Sequence, residues 1–244
     1  MRKHFLFIVI AALLLGVSAW ASEPWKDKAF ADWDAKDVQR VLTDSPWARQ
    51  FTVNVPPDSA GAGDQGYGRR GTGGGSARNT RAGLTNGATS DAARNLTMYI
   101  ARWYSSRTIR QAEVRAAQLR GTSDEHLQEV LATVPAAYQL IVRAAGADMP
   151  AFAGVDDAAL RQRTWLELKK SHQKIAPVSV RLLRSQDGSR IFAVVVEFPK
   201  KTDGGEPTIA ASETDAEFVT GSGNLTLKFH YDLDKMVNKD GSDL

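Results

Sequence analysis

The sequence predicts an α+β fold: an antiparallel, hairpin-rich sheet with two main helices packed on it, plus a Trp-rich N-terminal helix. The first observation is a change of period within residues 96–119, where β-branched and aromatic residues give way to apolar residues at helical spacing. The second is a pair of hairpin signals, SQDGS and GSGN, each between two apolar runs. The third is the order of the elements, because helices segregated from hairpin-connected strands indicate α+β architecture.

The first folded segment, residues 22–55, is rich in tryptophan. It contains Trp25, Trp33 and Trp47. Asp34 is placed to cap a short helix, with Asp37 at the third helical position. Residues 51–55 follow as a short strand, which Pro56 ends because proline has no amide to donate.

The main domain, residues 94–237, begins with a strand at residues 96–104. Two serines follow and cap a helix whose apolar stripe ends near Leu119, and Gly121 is suited to the position after its last turn. A second helix is expected to direct an apolar face inward as far as Val134, and Pro135 ends it.

The rest of the main domain is mostly strands. A short helix is predicted at residues 156–163, and strands are predicted at residues 138–145, 164–169, 178–184, 191–198, 217–220 and 225–231. The continuously apolar strand, residues 191–196, is expected inside the sheet with both faces covered. Residues 238–244 are interpreted as a tail.

The first 21 residues have the pattern of a secretory signal peptide. Arg2 and Lys3 precede an apolar run that is shorter than the roughly 20 residues of a membrane span, and Ala19-Trp20-Ala21 fits the cleavage rule. The alternative is an uncleaved N-terminal anchor. The predicted location is therefore the periplasm or the exterior, and no transmembrane segment is expected after cleavage.

Residues 56–93 are rich in glycine and arginine and contain few sizeable apolar side chains. A segment of this composition buries too little surface to offset its ordering entropy, so a disordered loop or linker is predicted. It contains a G-x-G-x-x-G at Gly61, Gly63 and Gly66, but a dinucleotide site requires a helix directly afterwards. An insertion within one domain is favoured over a linker between two.

Composition excludes several chemistries. The chain has no cysteine, so thiolate catalysis, Cys-ligated zinc and iron–sulfur clusters are excluded. Removal of the signal peptide leaves 29 basic and 28 acidic residues, a net charge of +1, which makes nucleic acid an improbable partner. The three remaining histidines lack metal-ligand spacing. No catalytic residue, metal site or cofactor is predicted.

The candidate binding residues are Arg102, Trp103, Arg107 and Arg110, from the densest basic region of the predicted folded part. On a helical wheel Arg107 and Arg110 lie opposite the apolar stripe. One interpretation is a solvated face on which Arg110 pairs with Glu113. The other is a surface that binds an anion or a partner protein, with Trp103 stacking on guanidinium groups or sugars.

Three stretches carry a resemblance: WDAKDVQRVLTDSPWARQ, IARWYSSRTIRQAEVRA, and the ending FPK followed by LTLKFHYDLDKMV. They resemble a family of uncharacterised secreted proteins from soil bacteria, in which SPWA and RW-S-x-x-x-RQA segments recur. The resemblance implies that residues 22–55 and 95–237 belong to one unit. It implies no activity, cofactor or catalytic residue.

The function indicated by these patterns is an exported, non-enzymatic binding or envelope-associated module. Its partner would be a protein, or an acidic or carbohydrate ligand. The alternative is a secreted hydrolase with a site assembled from residues that are distant in sequence. A further option is a protein that contacts carbohydrate through exposed tryptophans.

Overall fold

The computed structural model describes residues 23–54, 96–122, 124–146 and 148–244. The predicted signal peptide (1–21) and the predicted Gly-rich loop or linker (56–93) lie outside the described residues.

Five strands form the larger antiparallel sheet. In spatial order they are β1 (Ala48–Asn54), β2 (Leu96–Trp103), β3 (Ala137–Ala144), β7 (Ile191–Pro199) and β6 (Ser179–Arg184). As the apolar sequence predicts, β7 lies inside this sheet, and six of its nine residues are buried. Each of these strand neighbours runs antiparallel to the next.

A smaller antiparallel sheet contains four strands. In spatial order they are β5 (Lys174–Ile175), β4 (Trp165–Leu168), β8 (Asp215–Ser222) and β9 (Leu225–Asp232). The β8–β9 hairpin needs glycine at position 221, because a Cβ atom there would lie 2.2 Å from the carbonyl oxygen of Leu225. A two-stranded ribbon, β10 (Val237–Asn238) and β11 (Gly241–Ser242), ends the chain.

Aromatic side chains fill the space between the two sheets. The ring centroids of Phe51 and Phe229 are 6.1 Å apart, and those of Trp103 and Tyr231 are 5.2 Å apart. The Tyr231 hydroxyl donates to the carbonyl oxygen of Ala101 at 3.0 Å, a bond that crosses from one sheet to the other. The sequence predicts a single hairpin-rich sheet. The structure confirms the α+β class and divides the strands into two facing sheets.

Five α-helices occur in the described residues. They are α1 (Pro24–Asp27), α2 (Ala35–Thr43), α3 (Arg107–Leu119), α4 (Asp124–Ala132) and α5 (Asp157–Gln162). The two main predicted helices are α3 and α4, and α3 packs between α2 and α4. Three short 3-10 turns complete the architecture, at Phe30–Asp32, Pro150–Phe152 and Leu233–Lys235.

The Trp-rich segment is part of the hydrophobic core. Trp25, Trp33 and Trp47 are each at most 4% exposed and belong to the same buried cluster as the strands of both sheets. The predicted N-cap of α2 is present, since the Asp34 carboxylate accepts from the amides of Lys36 and Asp37. The Asp37 carboxylate in turn accepts from the Asp34 amide, which completes a capping box. The Trp47 indole donates to the carbonyl oxygen of Asp243 at 2.6 Å, which joins this segment to the C-terminal residues.

Candidate functional site

Trp103 lies in the core and does not contact solvent. Its side chain is 0% exposed and lies between the rings of Tyr138 and Tyr231. Alternation along β2 places Trp103 on the face that meets the smaller sheet, together with Tyr99 and Ala101. A buried indole cannot stack on a ligand, so the expected stacking by Trp103 is wrong.

Arg102 points to the opposite face of β2, where it joins that strand to two helices. Its Nε donates to the carbonyl oxygen of Leu42 at 2.8 Å, and one terminal nitrogen bonds the Glu113 carboxylate at 2.7 Å. Burial lowers the pKa of Arg102, and the charge of Glu113 opposes that shift. The expected Arg110–Glu113 pair is therefore replaced by an Arg102–Glu113 pair.

Arg107 and Arg110 do not share one solvent face. Arg107 has a 58% exposed side chain and pairs with Asp240 at 3.2 Å. Arg110 is only 5% exposed, and its Nη1 lies 2.5 Å from the carbonyl oxygen of Thr133 and 3.2 Å from those of Val130 and Leu131. The helical-wheel expectation is wrong for Arg110 because α4 covers its side of α3. A binding role for the four predicted residues stays a prediction.

The segment that Arg110 holds contributes lining residues to two depressions, and we call residues 133–137 the ridge. It begins where α4 ends, since Pro135 cannot continue a helix, and it leads into β3. The Thr133 hydroxyl donates to the carbonyl oxygen of Glu129 at 2.9 Å. Arg110 satisfies carbonyl groups that the last turn of a helix leaves without partners, so the ridge is anchored to α3.

The first depression, of about 490 Å³, lies between the ridge, α3 and the outer face of the larger sheet. Tyr104, Arg110, Gln139 and Glu197 line it together with the ridge. The Gln139 amide donates to Glu197 at 2.9 Å, and Arg181 approaches the same carboxylate oxygen at 3.4 Å. Burial raises the pKa of the Tyr104 hydroxyl. This depression combines apolar walls with a few fixed polar groups, as small binding sites do.

The second depression adjoins the first, since the two share Pro135, Ala136 and Ala137 as lining residues. Val134 and Val178 border it and are 73% and 50% exposed. Val134 is predicted to point inward along α4, but the helix ends two residues before it and the ridge turns it outward. Lys200 and Lys201 complete the border.

Lys200 is half-buried, and its ammonium has no hydrogen bond or ion pair with the described residues. Its ammonium lies 5.5 Å from the centroid of the Tyr138 ring. Burial lowers the pKa of Lys200, the nearby charge of Arg110 lowers it further, and Asp243 opposes both. An anion placed at this lysine would offset the cost of its desolvation.

The sequence predicts a helix as far as Val134, and Lys200 and Lys201 follow the predicted strand 191–198 without any pattern of their own. The contributing residues lie on α3, on the ridge and at the end of β7, so no short motif contains them. The available signal was Val134 beside Pro135, an apolar side chain at the position where the helix must end.

Within the described residues, no group of three or more His, Cys, Asp or Glu side chains is arranged to hold a metal ion. Among the described helices, none has the length and apolar character needed to cross a membrane.

Comparisons with known proteins add little to this description. No protein-family model matches the chain, and no curated protein matches it. One solved structure, described as the N-terminal part of the bacterial S-layer protein SbsC, is 15% identical with a TM-score of 0.23. The match covers 52% of this chain and 33% of that one, so the matched region spans about a third of that structure's length. A likeness this weak carries no argument about fold or function.

Proposed function

We propose that the protein is an exported, non-enzymatic binding module that docks a partner on the ridge and its two depressions. The observation that carries this proposal is the position of Lys200, a partly desolvated cation whose ammonium has no hydrogen bond or ion pair with the described residues, beside exposed Val134 and Val178. Apolar side chains exposed next to an unpaired charge are typical of interaction sites.

The rigidity of the ridge supports this proposal. Arg110 is fixed to three backbone carbonyl groups of α4 and the ridge, and Ala137 begins a strand paired to β7. A surface that is held in one shape before binding loses less entropy when a partner docks. Arg110 therefore contributes to the proposed surface by holding the ridge in place, although its own side chain is buried.

The predicted export supports the same proposal from the sequence. A charged N-terminus, a short apolar run and a small-x-small cleavage site are typical of secretory signal peptides. The partner would then be met in the periplasm or outside the cell, where an envelope-associated protein acts. The intact mass of the protein recovered from the periplasm tests this part. We expect the mass of the chain without residues 1–21, and a mass that includes them would contradict cleavage after Ala21.

Site-specific photocrosslinking tests the docking surface. A photoreactive residue at position 134 is tolerated because Val134 is exposed, and the matched control is position 226, an exposed threonine on the far strand β9. We expect adducts with exported proteins or glycans of the source cells from position 134 and none from position 226. Equal labelling from both positions, or none from either, would exclude the ridge as the binding surface.

A further inference from the structure

The geometry points to an acidic polypeptide segment with apolar side chains as the partner of the ridge. This inference rests on the proposed function and names the class of molecule that the same surface recognises. Three features of the ridge support it: the charges beside it, the two depressions and the free backbone groups.

Charge is the first feature. Lys200 and Lys201 border the second depression, and neither side chain has an ion pair with the described residues. Arg110 is a third cation, and its positive charge is near enough to lower the pKa of Lys200. Two nearby carboxylates already have partners: Glu197 is held by Gln139 and Arg181, and Asp243, whose charge acts on Lys200, accepts from the amides of Arg107 and Thr108. The unpaired charge is therefore positive, and it favours a partner with carboxylates.

The two depressions are the second feature. They share Pro135, Ala136 and Ala137 as lining residues, so a ligand that fills both passes over these residues. An extended polypeptide does this, since its successive side chains point to opposite sides of the backbone. Its apolar side chains would cover Val134 and Val178, which are otherwise exposed.

Backbone groups on the ridge are the third feature. The amides of Val134 and Ala136 donate no hydrogen bond to any described residue. Both residues are exposed, so these amides are accessible to the carbonyl groups of another main chain. An aliphatic anion or a lipid surface offers no regular series of such acceptors.

An anionic bilayer fits this surface less well. Membrane docking requires apolar groups that protrude, whereas Tyr104, Gln139 and Glu197 line a concave site. Glu129 also lines that site and would face the anionic headgroups. A bilayer and a second copy of this chain are therefore outcomes to be excluded by the test.

Fluorescence anisotropy with labelled synthetic peptides of equal length tests the inference. The probes alternate Glu with Leu, Gln with Leu, Glu with Ser, and Lys with Leu, and the protein is the mature chain. We expect the Glu–Leu peptide to bind at least about tenfold more tightly than each of the others, the difference expected from one lost charge-assisted or apolar contact. Anionic lipid vesicles and the chain's own self-association are measured in parallel.

A matched pair of variants assigns the binding to the ridge. The double variant Lys200→Gln/Lys201→Gln removes two charges beside the ridge. Lys228→Gln/Lys239→Gln removes two exposed charges elsewhere. We expect about a tenfold or greater loss of Glu–Leu binding for the first pair, and a change of less than about twofold for the second. Both double variants lower the net charge of the protein by two. The comparison therefore separates ion pairing at Lys200 and Lys201 from attraction of the peptide by the overall charge of the protein.

The outcomes separate this inference from the proposed function. Equal binding of the Gln–Leu peptide would overturn the acidic part, and equal binding of the Glu–Ser peptide would overturn the apolar part, while docking on the ridge would stand. Binding of vesicles alone, or self-association that Val134→Ser abolishes, would replace the polypeptide with a bilayer or a second copy. If the protein binds no peptide and no vesicle, does not self-associate and gives no adduct from position 134, both this inference and the proposed function are overturned.

Discussion

Arg107 and Arg110 are one helical turn apart, yet they have different environments. The Arg107 guanidinium is largely exposed and pairs with the equally exposed Asp240. Arg110 is 5% exposed and contacts carbonyl oxygens at the end of α4 and on the ridge. A helix rotates by about 100° per residue, so side chains three positions apart lie on neighbouring stripes of its surface. The position of α4 decides which stripe is covered.

Substitution of Arg110 tests this difference. We expect Arg110→Gln to lower the free energy of unfolding by about 1–3 kcal/mol, because it leaves buried carbonyl groups without their donor. Arg107→Gln is the matched control and should change it by less than about 1 kcal/mol, as exposed ion pairs do. Urea unfolding of both variants measures the two values. Equal effects would show that Arg110 is a surface residue in solution.

At the scale of the helix, both ends of α3 are satisfied by specific partners. The Ser106 hydroxyl accepts from the amide of Ile109, and the Asp243 carboxylate accepts from the amides of Arg107 and Thr108 at 2.7 and 2.8 Å. At the other end Gly121 adopts a left-handed conformation with φ of 83°, as the sequence predicts for that glycine. The C-terminal ribbon thus supplies an anion to the positive end of the helix dipole.

Removal of that anion should destabilise α3. We expect Asp243→Ala to lower the free energy of unfolding by about 1–2 kcal/mol, the usual cost of a lost N-terminal cap. Asp240→Ala is the control on the same ribbon, since it removes only the exposed pair with Arg107 and should cost less than about 1 kcal/mol. Thermal unfolding followed by circular dichroism compares the two. An Asp243 variant as stable as the Asp240 variant would contradict capping by the ribbon.

The elements that sequence reasoning found are those whose signals are local. The Asp34 N-cap, the SQDGS turn between β6 and β7 and the GSGN turn between β8 and β9 each lie within a few residues. The capping of α3 by Asp243 joins residues about 136 positions apart, and no local pattern in residues 238–244 indicates it. The helical wheel of α3 likewise shows neighbouring polar stripes that contain Arg107 and Arg110, but it does not indicate which stripe packs against α4.

At the scale of the whole molecule, distant contacts determine both the pairing of the sheets and the candidate site. Alternation correctly places Tyr99, Ala101 and Trp103 on one face of β2, but it does not show that the face meets Tyr231 of a second sheet. The ridge depends in the same way on Arg110 of α3 and on lysines that follow β7. The α+β class is therefore predictable from local patterns, whereas the proposed docking surface depends on contacts between residues that are distant in sequence.

Tyr231 joins the two sheets, and its ionisation provides a test of their packing. The hydroxyl is fully buried and donates to the carbonyl oxygen of Ala101, and burial raises its pKa far above the ordinary value of 10.0. Above about pH 10 the unfolded chain loses a proton that the folded chain retains, so the free energy of unfolding falls as the pH rises. The buried Tyr99 and Tyr138 contribute shifts of the same sign.

Tyr231→Phe keeps the ring against Trp103 and removes both the hydroxyl and its titration. At neutral pH we expect the variant to be less stable by about 1 kcal/mol, because the inter-sheet hydrogen bond is lost. Above about pH 10 its stability should decline less steeply than that of the wild type, since one fewer tyrosine ionises only on unfolding. Urea unfolding at a series of pH values measures the free energy of unfolding of both proteins. The difference between the two free energies should narrow as the pH rises. Parallel curves for the two proteins would mean that Tyr231 reaches solvent in the folded state and that the sheets are not closed over it.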